Sequence, residues 1–293
     1  MRFFILATLF LSFSSLFAQL PQTQIWVAPL KVSKNKISLG NAGLISKSTG
    51  YNNQPNFSAD GKKLLFVSKE DTSNTDVFEY DFKTKQRVQI TSTPENEYSP
   101  VFSPDGKFFT AVHGPEQKLM KFTLSGKILK PLTSDSDSVG YYCWVNDHLL
   151  ATFTLPSPFT LNIQDINNKN KKAFAVGIGR SLNALTKEST LFFVQKRDSA
   201  NWMIMAMILR DDSPMELMAV VKTPPGCEDF AILNDGTLLA FFDTRLFKYN
   251  IVKDQKWKEI ADFQNTGVDG FYRIAVSPKK DRIAMVSYSG KRP

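Results

Sequence analysis

The sequence predicts an all-β fold, a six-bladed β-propeller, on three observations. A short turn phrase recurs along the chain, apolar and polar residues alternate with a period of two after it, and the two terminal segments complement one another as halves of one blade. In its full form the phrase is an aromatic residue, then Ser-Pro/Ala-Asp-Gly-Lys, then an apolar run: Phe57-Ser58-Ala59-Asp60-Gly61-Lys62 leads into Leu64 to Val67, and Phe102-Ser103-Pro104-Asp105-Gly106-Lys107 leads into Phe108-Phe109. Weaker copies stand after Trp144, Leu185, Ile232 and Val276, so the register residue returns at intervals of 41 to 47 residues. Such a period marks a propeller array.

Two strands flank each turn. A third follows with strong alternation, at 77–82, 119–124, 161–166, 203–208 and 246–251, and a short fourth at 87–91, 130–133, 173–176, 216–220 and 258–261. After five four-stranded units a pair of strands is left over, within about 272–288. Its missing partners are at the other end, where 25–30 reads as a third strand and 36–39 as a fourth. The last blade is therefore expected to be closed by N-terminal strands (about 25–39) pairing with C-terminal ones, which leaves no unpaired edge between first and last blade. The Asp-Gly pair has a mechanical cause. A hairpin turn ending at positive φ favours glycine, and the aspartate caps nearby amides. Asp60, Asp105 and Asp235 are thus read as turn formers, not catalytic acids.

Gln54 to Ser68 and Tyr98 to Lys107 resemble the WD-repeat-like, Pro-Asp repeats of the TolB-like propeller superfamily, clearly in blades 1 and 2 and in degenerate form in the others. The resemblance implies a six-bladed, exported platform that binds proteins or ligands. TolB also has a separate N-terminal α/β domain. Here Ile25 already belongs to a blade, so that domain is expected to be lacking.

Residues 1–18 have the form of a cleavable signal peptide: Arg2, an apolar run Phe3 to Leu11, and Ala18 before Gln19. Residues 19–293 are then one propeller domain, monomeric and periplasmic or secreted, with no transmembrane segment after cleavage. The chain is basic, with a formal net charge of +8, which favours anionic partners. No basic helix or RNA-binding sheet motif supports nucleic acid as one. Lysine-rich stretches at 31–36 and 169–172 fall at expected hairpin tips. Cys143 and Cys227 lie in non-neighbouring blades and are expected to be free, largely buried thiols.

Loops entering the innermost strands ring one mouth of the central channel. Aligned across blades, those positions hold Tyr51, Asn53, Glu97, Tyr98, Tyr141, Arg180, Glu228, Asp229, Tyr272 and Arg273. Aromatic planes, arginines and carboxylates converging there suit a peptide, a sugar or a charged small molecule. No metal or cofactor motif is found. His113 and His148 are isolated in sequence, and Gly177-Ile178-Gly179-Arg180-Ser181 lacks the third glycine and following helix of a phosphate loop. Sialidase boxes are absent, and no Gly-x-Ser-x-Gly elbow follows the propeller. Trp26, Trp144 and the methionines Met203, Met205, Met207, Met215 and Met218 read as apolar filling, whereas Trp202 and Trp257, near outer hairpins, are possible recognition residues. The function that fits is an exported, non-enzymatic binding propeller whose partner, an envelope or secreted protein or a small or anionic ligand, docks at the channel mouth. The alternative is a glycan-active hydrolase or lyase using Glu97, Glu228 or Asp229 as acid and base.

Overall fold

A computed structural model describes residues 20–289 apart from 34–35, 48, 71–73, 135–136, 169, 200 and 211–212. The proposed leader, Lys34 and Lys169 lie outside the described residues. The alternating segments become six antiparallel sheets of four main strands each. Numbered from the first complete unit, blade 1 runs through Tyr51–Phe57, Lys63–Lys69, Asp76–Asp81 and Gln86–Gln89, and blade 2 through Glu97–Phe102, Phe108–His113, Lys118–Thr123 and Ile128–Pro131. Blade 3 takes Val139–Trp144, Leu149–Thr154, Thr160–Asp165 and Lys171–Val176. Blade 4 takes Ile178–Leu185, Thr190–Lys196, Trp202–Arg210 and Ser213–Lys222, and blade 5 takes Phe230–Ile232, Thr237–Phe242, Arg245–Asn250 and Lys258–Asp262.

Blade 6 joins both ends of the chain. Phe271–Val276 pairs with Arg282–Tyr288, which pairs with Thr23–Val32 in the register Ile25↔Val286 and Ala28↔Ile283, and Ile37–Leu39 forms the outer edge. A short strand, Gly43–Leu44, adds to Trp26 and Val27. The packing shows that closure is complete. Among the described residues the buried apolar side chains fall into six clusters, each drawn from two neighbouring blades. The cluster that seals the ring sets Ile25, Ala284 and Val286 of blade 6 against Phe57, Leu64 and Phe66 of blade 1. Since each sheet buries one face on each neighbour, the alternation in sequence is a pattern of two different apolar faces.

The turn phrase performs the task expected of it. Ser103 Oγ donates to Asp105 Oδ1 and accepts from the Phe108 amide, while the Gly106 amide closes the turn on the Ser103 carbonyl at 2.9 Å. Ser58, Asp60 and Gly61 repeat these bonds in blade 1. The Ser103 hydroxyl and the Lys107 amide hold the Asp105 carboxyl below the usual carboxylate range, and the Lys62 amide and the Ser58 hydroxyl do the same for Asp60. Gly106 has φ +68°, yet a Cβ there would meet nothing within 4 Å. Gly106→Ala is therefore expected to cost about 1–2 kcal/mol from backbone strain alone, measured by urea unfolding.

Both cysteines are free and largely buried, as expected, Cys227 more fully than Cys143. Other expectations change. Trp202 and Trp257 pack against the cluster between blades 4 and 5, and the Trp257 indole donates to the Lys222 carbonyl at 2.9 Å. They are packing residues rather than exposed recognition residues. Met205 and Met207 fill the core, whereas Met218 is 40% exposed on an edge strand. His113 ends the second strand of blade 2, where it pairs with Glu97.

Candidate functional site

The innermost strands of the six blades line the channel, and most of the charged residues expected at its mouth meet at its waist. Arg180, in the first strand of blade 4, is the hub. Its Nε donates to Asp229 Oδ2 at 2.6 Å, its amide donates to Glu228 Oε1 at 2.6 Å, and its guanidinium lies 5.7 Å from the Tyr272 ring centre. Glu228 is held a second time by Lys196 Nζ at 2.9 Å. Arg273 approaches Asp229 Oδ1 only to 4.0 Å, and its guanidinium sits 5.1 Å from the Tyr141 ring centre. Tyr272 accepts a hydrogen bond on its hydroxyl from Asn53 Nδ2 at 2.8 Å and stacks on Tyr288 at 4.3 Å.

These bonds set the electrostatics. Asp229 and Glu228, beside Arg180, raise its already high pKa against the opposing effect of burial, so the guanidinium is charged at every physiological pH. Burial pushes the Tyr51 phenol well above its ordinary value, with Arg273 pulling the other way and the phenols of Tyr141, Tyr272 and Tyr98 close by. Tyr272 is raised for the same reason, again opposed by Arg273. At neutral pH the Tyr51 and Tyr272 phenols therefore keep their protons.

Two cavities meet at this waist. One, of about 470 Å³, is the channel itself and extends to the Asp-Gly turns; its wall includes Pro55, Ser99, Tyr141, Leu182, Asp229 and Arg273. The other, of about 400 Å³, opens between blades 5 and 6, with Pro225, Glu228, Phe242, Tyr272 and Tyr288 among its lining. Arg180, Asp229 and Arg273 line both.

Glu97 does not join them. It is 0% exposed and turned between blades 1 and 2, where the Thr91 hydroxyl donates to Oε2 at 2.9 Å, Thr93 donates to Oε1, and His113 Nε2 lies 3.6 Å away. The cause is register. Asn52 in blade 1 and Glu97 in blade 2 are equivalent: each has its carbonyl bonded by a threonine hydroxyl of the preceding blade, Thr23 at 2.8 Å and Thr75 at 2.9 Å. They are inter-blade staples. The next residue along, Asn53 or Tyr98, takes the other face of the strand, as a one-residue step in a strand requires.

Sequence reasoning missed Lys196, which has no repeat or motif to mark it, and Tyr288. It also missed the bulges at Gln54-Pro55 and Ser99-Pro100, where Gln54 (φ 57°) and Ser99 (φ 51°) adopt left-handed backbone and Gln54 Oε1 accepts from the Ser99 amide at 2.7 Å. The X-Pro pair two residues before each turn phrase carried that signal. Among the described residues no group of three or more His, Cys, Asp or Glu is placed to hold a metal ion.

No family profile matches the sequence, and no curated protein matches it. Solved structures do. A TolB candidate from Agrobacterium tumefaciens superposes with a TM-score of 0.68 at 14% identity, covering 92% of this chain and 98% of that one. TolB from Acinetobacter baumannii gives a TM-score of 0.57 at 16% identity over 92% of this chain and 64% of that one. The fold is that of the TolB propellers. A gluconolactonase from Xanthomonas campestris also aligns, with a TM-score of 0.65 at 9% identity over 89% of this chain and 94% of that one. The same architecture is thus found in TolB proteins and in a gluconolactonase, so the fold alone does not set the chemistry. Among the described residues no helix is long and apolar enough to cross a membrane.

Proposed function

We propose that this chain is an exported, non-enzymatic binding propeller that recognises a protein or a small ligand at the channel mouth. The observation that carries this reading is the junction of two cavities at one cluster in which charged and phenolic groups are fixed by one another: Arg180 on Asp229 and Glu228, Tyr272 on Asn53. A rigid cluster of that kind, reached from the mouth, loses little conformational freedom on binding. The likeness to TolB supports the same class of function, and export rests on the form of residues 1–18.

The glycan-active alternative has weaker support. Acid catalysis needs a carboxyl that carries a proton and reaches the substrate. Glu228 and Asp229 are each engaged by cations, and Glu97, whose carboxyl burial pushes up to about 7, lines neither cavity. For the binding reading, immobilised wild-type protein is expected to capture a partner from envelope extract that a Tyr272→Ala/Glu228→Gln double variant retains at less than a tenth of that level. Equal capture by a variant with an unchanged melting curve would overturn the site, and turnover of acidic or neutral oligosaccharides would overturn the non-enzymatic reading.

A further inference from the structure

We propose that the waist of the channel is a carboxylate site, with Arg273 as its anchor and the 470 Å³ channel as the berth for the rest of an organic ligand. This rests on the mouth-binding reading above and names the chemistry it serves. The first support is a count of charges. Within the cluster linked by ion pairs, two carboxylates, Glu228 and Asp229, face three cations, Lys196, Arg180 and Arg273, so in that cluster one positive charge is left over. The short bonds decide whose it is. Arg180 holds Asp229 at 2.6 Å and Lys196 holds Glu228 at 2.9 Å, whereas Arg273 comes no nearer than 4.0 Å to a carboxylate.

The second support is an unmet donor. Arg273 is 12% exposed, and its Nε is buried without a hydrogen-bond partner among the described residues. Buried donors almost always have partners, and a guanidinium carries five of them in a planar fork. The group that fills such a fork is a planar anion with two oxygens, bound in bidentate fashion. One surplus charge matches a monoanion. A phosphate dianion would place a second negative charge beside Glu228 and Asp229.

The third support is the surroundings. The Tyr141 ring covers one side of the guanidinium, and Tyr51 is close enough to feel its charge. Tyr141 also lines the channel, so its hydroxyl can donate to the same anion. Beyond the waist the channel wall mixes apolar residues such as Pro55, Leu182 and Ile274 with polar ones such as Gln54, Asn56 and Asn183, and its volume is that of an ordinary ligand pocket. A bare inorganic anion makes no use of such a wall. An organic monocarboxylate does, whether a free acid or the C-terminus of a peptide threaded into the channel.

The test is calorimetric titration of the full chain with two series: straight-chain and aromatic monocarboxylic acids paired with their primary amides, and apolar tripeptides with free or amidated C-termini. At least one carboxylate is expected to bind the wild type with its amide at least tenfold weaker, and Arg273→Gln is expected to weaken it at least tenfold. Binding by the acids places a free organic acid in the site, and binding by the free-ended tripeptides alone places a peptide C-terminus there. The acid–amide comparison uses wild-type protein and stands even if Arg273→Gln fails to fold. Equal affinity for acid and amide, or no binding in either series, would overturn the carboxylate site. If the Tyr272→Ala/Glu228→Gln variant still loses its envelope partner in that case, the mouth-binding reading survives without it.

Discussion

Truncation of Arg180 to alanine is expected to lower the free energy of unfolding by about 3 kcal/mol, the largest effect of any single substitution at the waist. The side chain spans blade 4 and the loop that enters blade 5, so its loss strands Asp229, which is 8% exposed, with only the distant Arg273 for compensation. An unpaired buried carboxylate is costly because it has given up water and received nothing in exchange. The same logic predicts recovery. Asp229→Asn in the Arg180→Ala background removes the orphaned charge, and the two changes should be non-additive by about 1–2 kcal/mol in a double-mutant cycle. Urea unfolding of the four proteins at pH 7 measures this. Strict additivity would show that the pair holds nothing together, and the waist would then have to be described as a solvated funnel.

Why the blades were legible in the sequence and the waist only in part follows from what each depends on. Strand faces are set by alternation, so 119–124 in blade 2 and 246–251 in blade 5 fell within one residue of the observed Lys118–Thr123 and Arg245–Asn250. The turn phrase fixed register because glycine at positive φ and the serine–aspartate bond are local requirements. Closure was legible because Ile25 to Leu30 carries the third-strand pattern ahead of the first turn phrase, while the last phrase is followed by only one further strand. Site residues are another matter. Glu97 stands at the edge of the repeat register, where alternation turns its side chain toward blade 1 and that of Tyr98 toward blade 3, so neither reaches the channel. Lys196 reaches Glu228 from the second strand of blade 4, a contact with no trace in spacing because it depends on the tertiary position of two blades.

Glu97→Gln is expected to change the pH dependence of stability by about 3 kcal/mol, and the sign follows from the enclosure of the carboxyl. Burial raises the folded-state pKa from 4.5 to about 7, with the neighbouring Asp76 adding to the shift and the Thr91 and Thr93 hydroxyls opposing it. Between those values the folded protein holds a proton that the unfolded chain has released. The wild type is therefore favoured below about pH 4.5 and loses that advantage as pH rises through 7, after which the penalty is constant. Asp76 is itself raised by burial, and its Oδ1 is buried without a hydrogen-bond partner among the described residues; the acid proton of Glu97 is available to it. His113 acts in the opposite sense. Burial lowers its pKa, so its contribution strengthens as pH rises toward 6.5. Comparison with Glu97→Gln separates the two, because the amide keeps the shape and an acceptor for the threonines while losing the titration. The variant should match the wild type near pH 4.5 and exceed it by about 3 kcal/mol at pH 8, read by urea unfolding across that range. Parallel pH profiles would mean that Glu97 is ionised in the fold at neutral pH, with solvent reaching it between blades 1 and 2. A second readout keeps the placement testable: since Glu97 lines neither cavity, the same variant should capture the mouth partner as well as the wild type does.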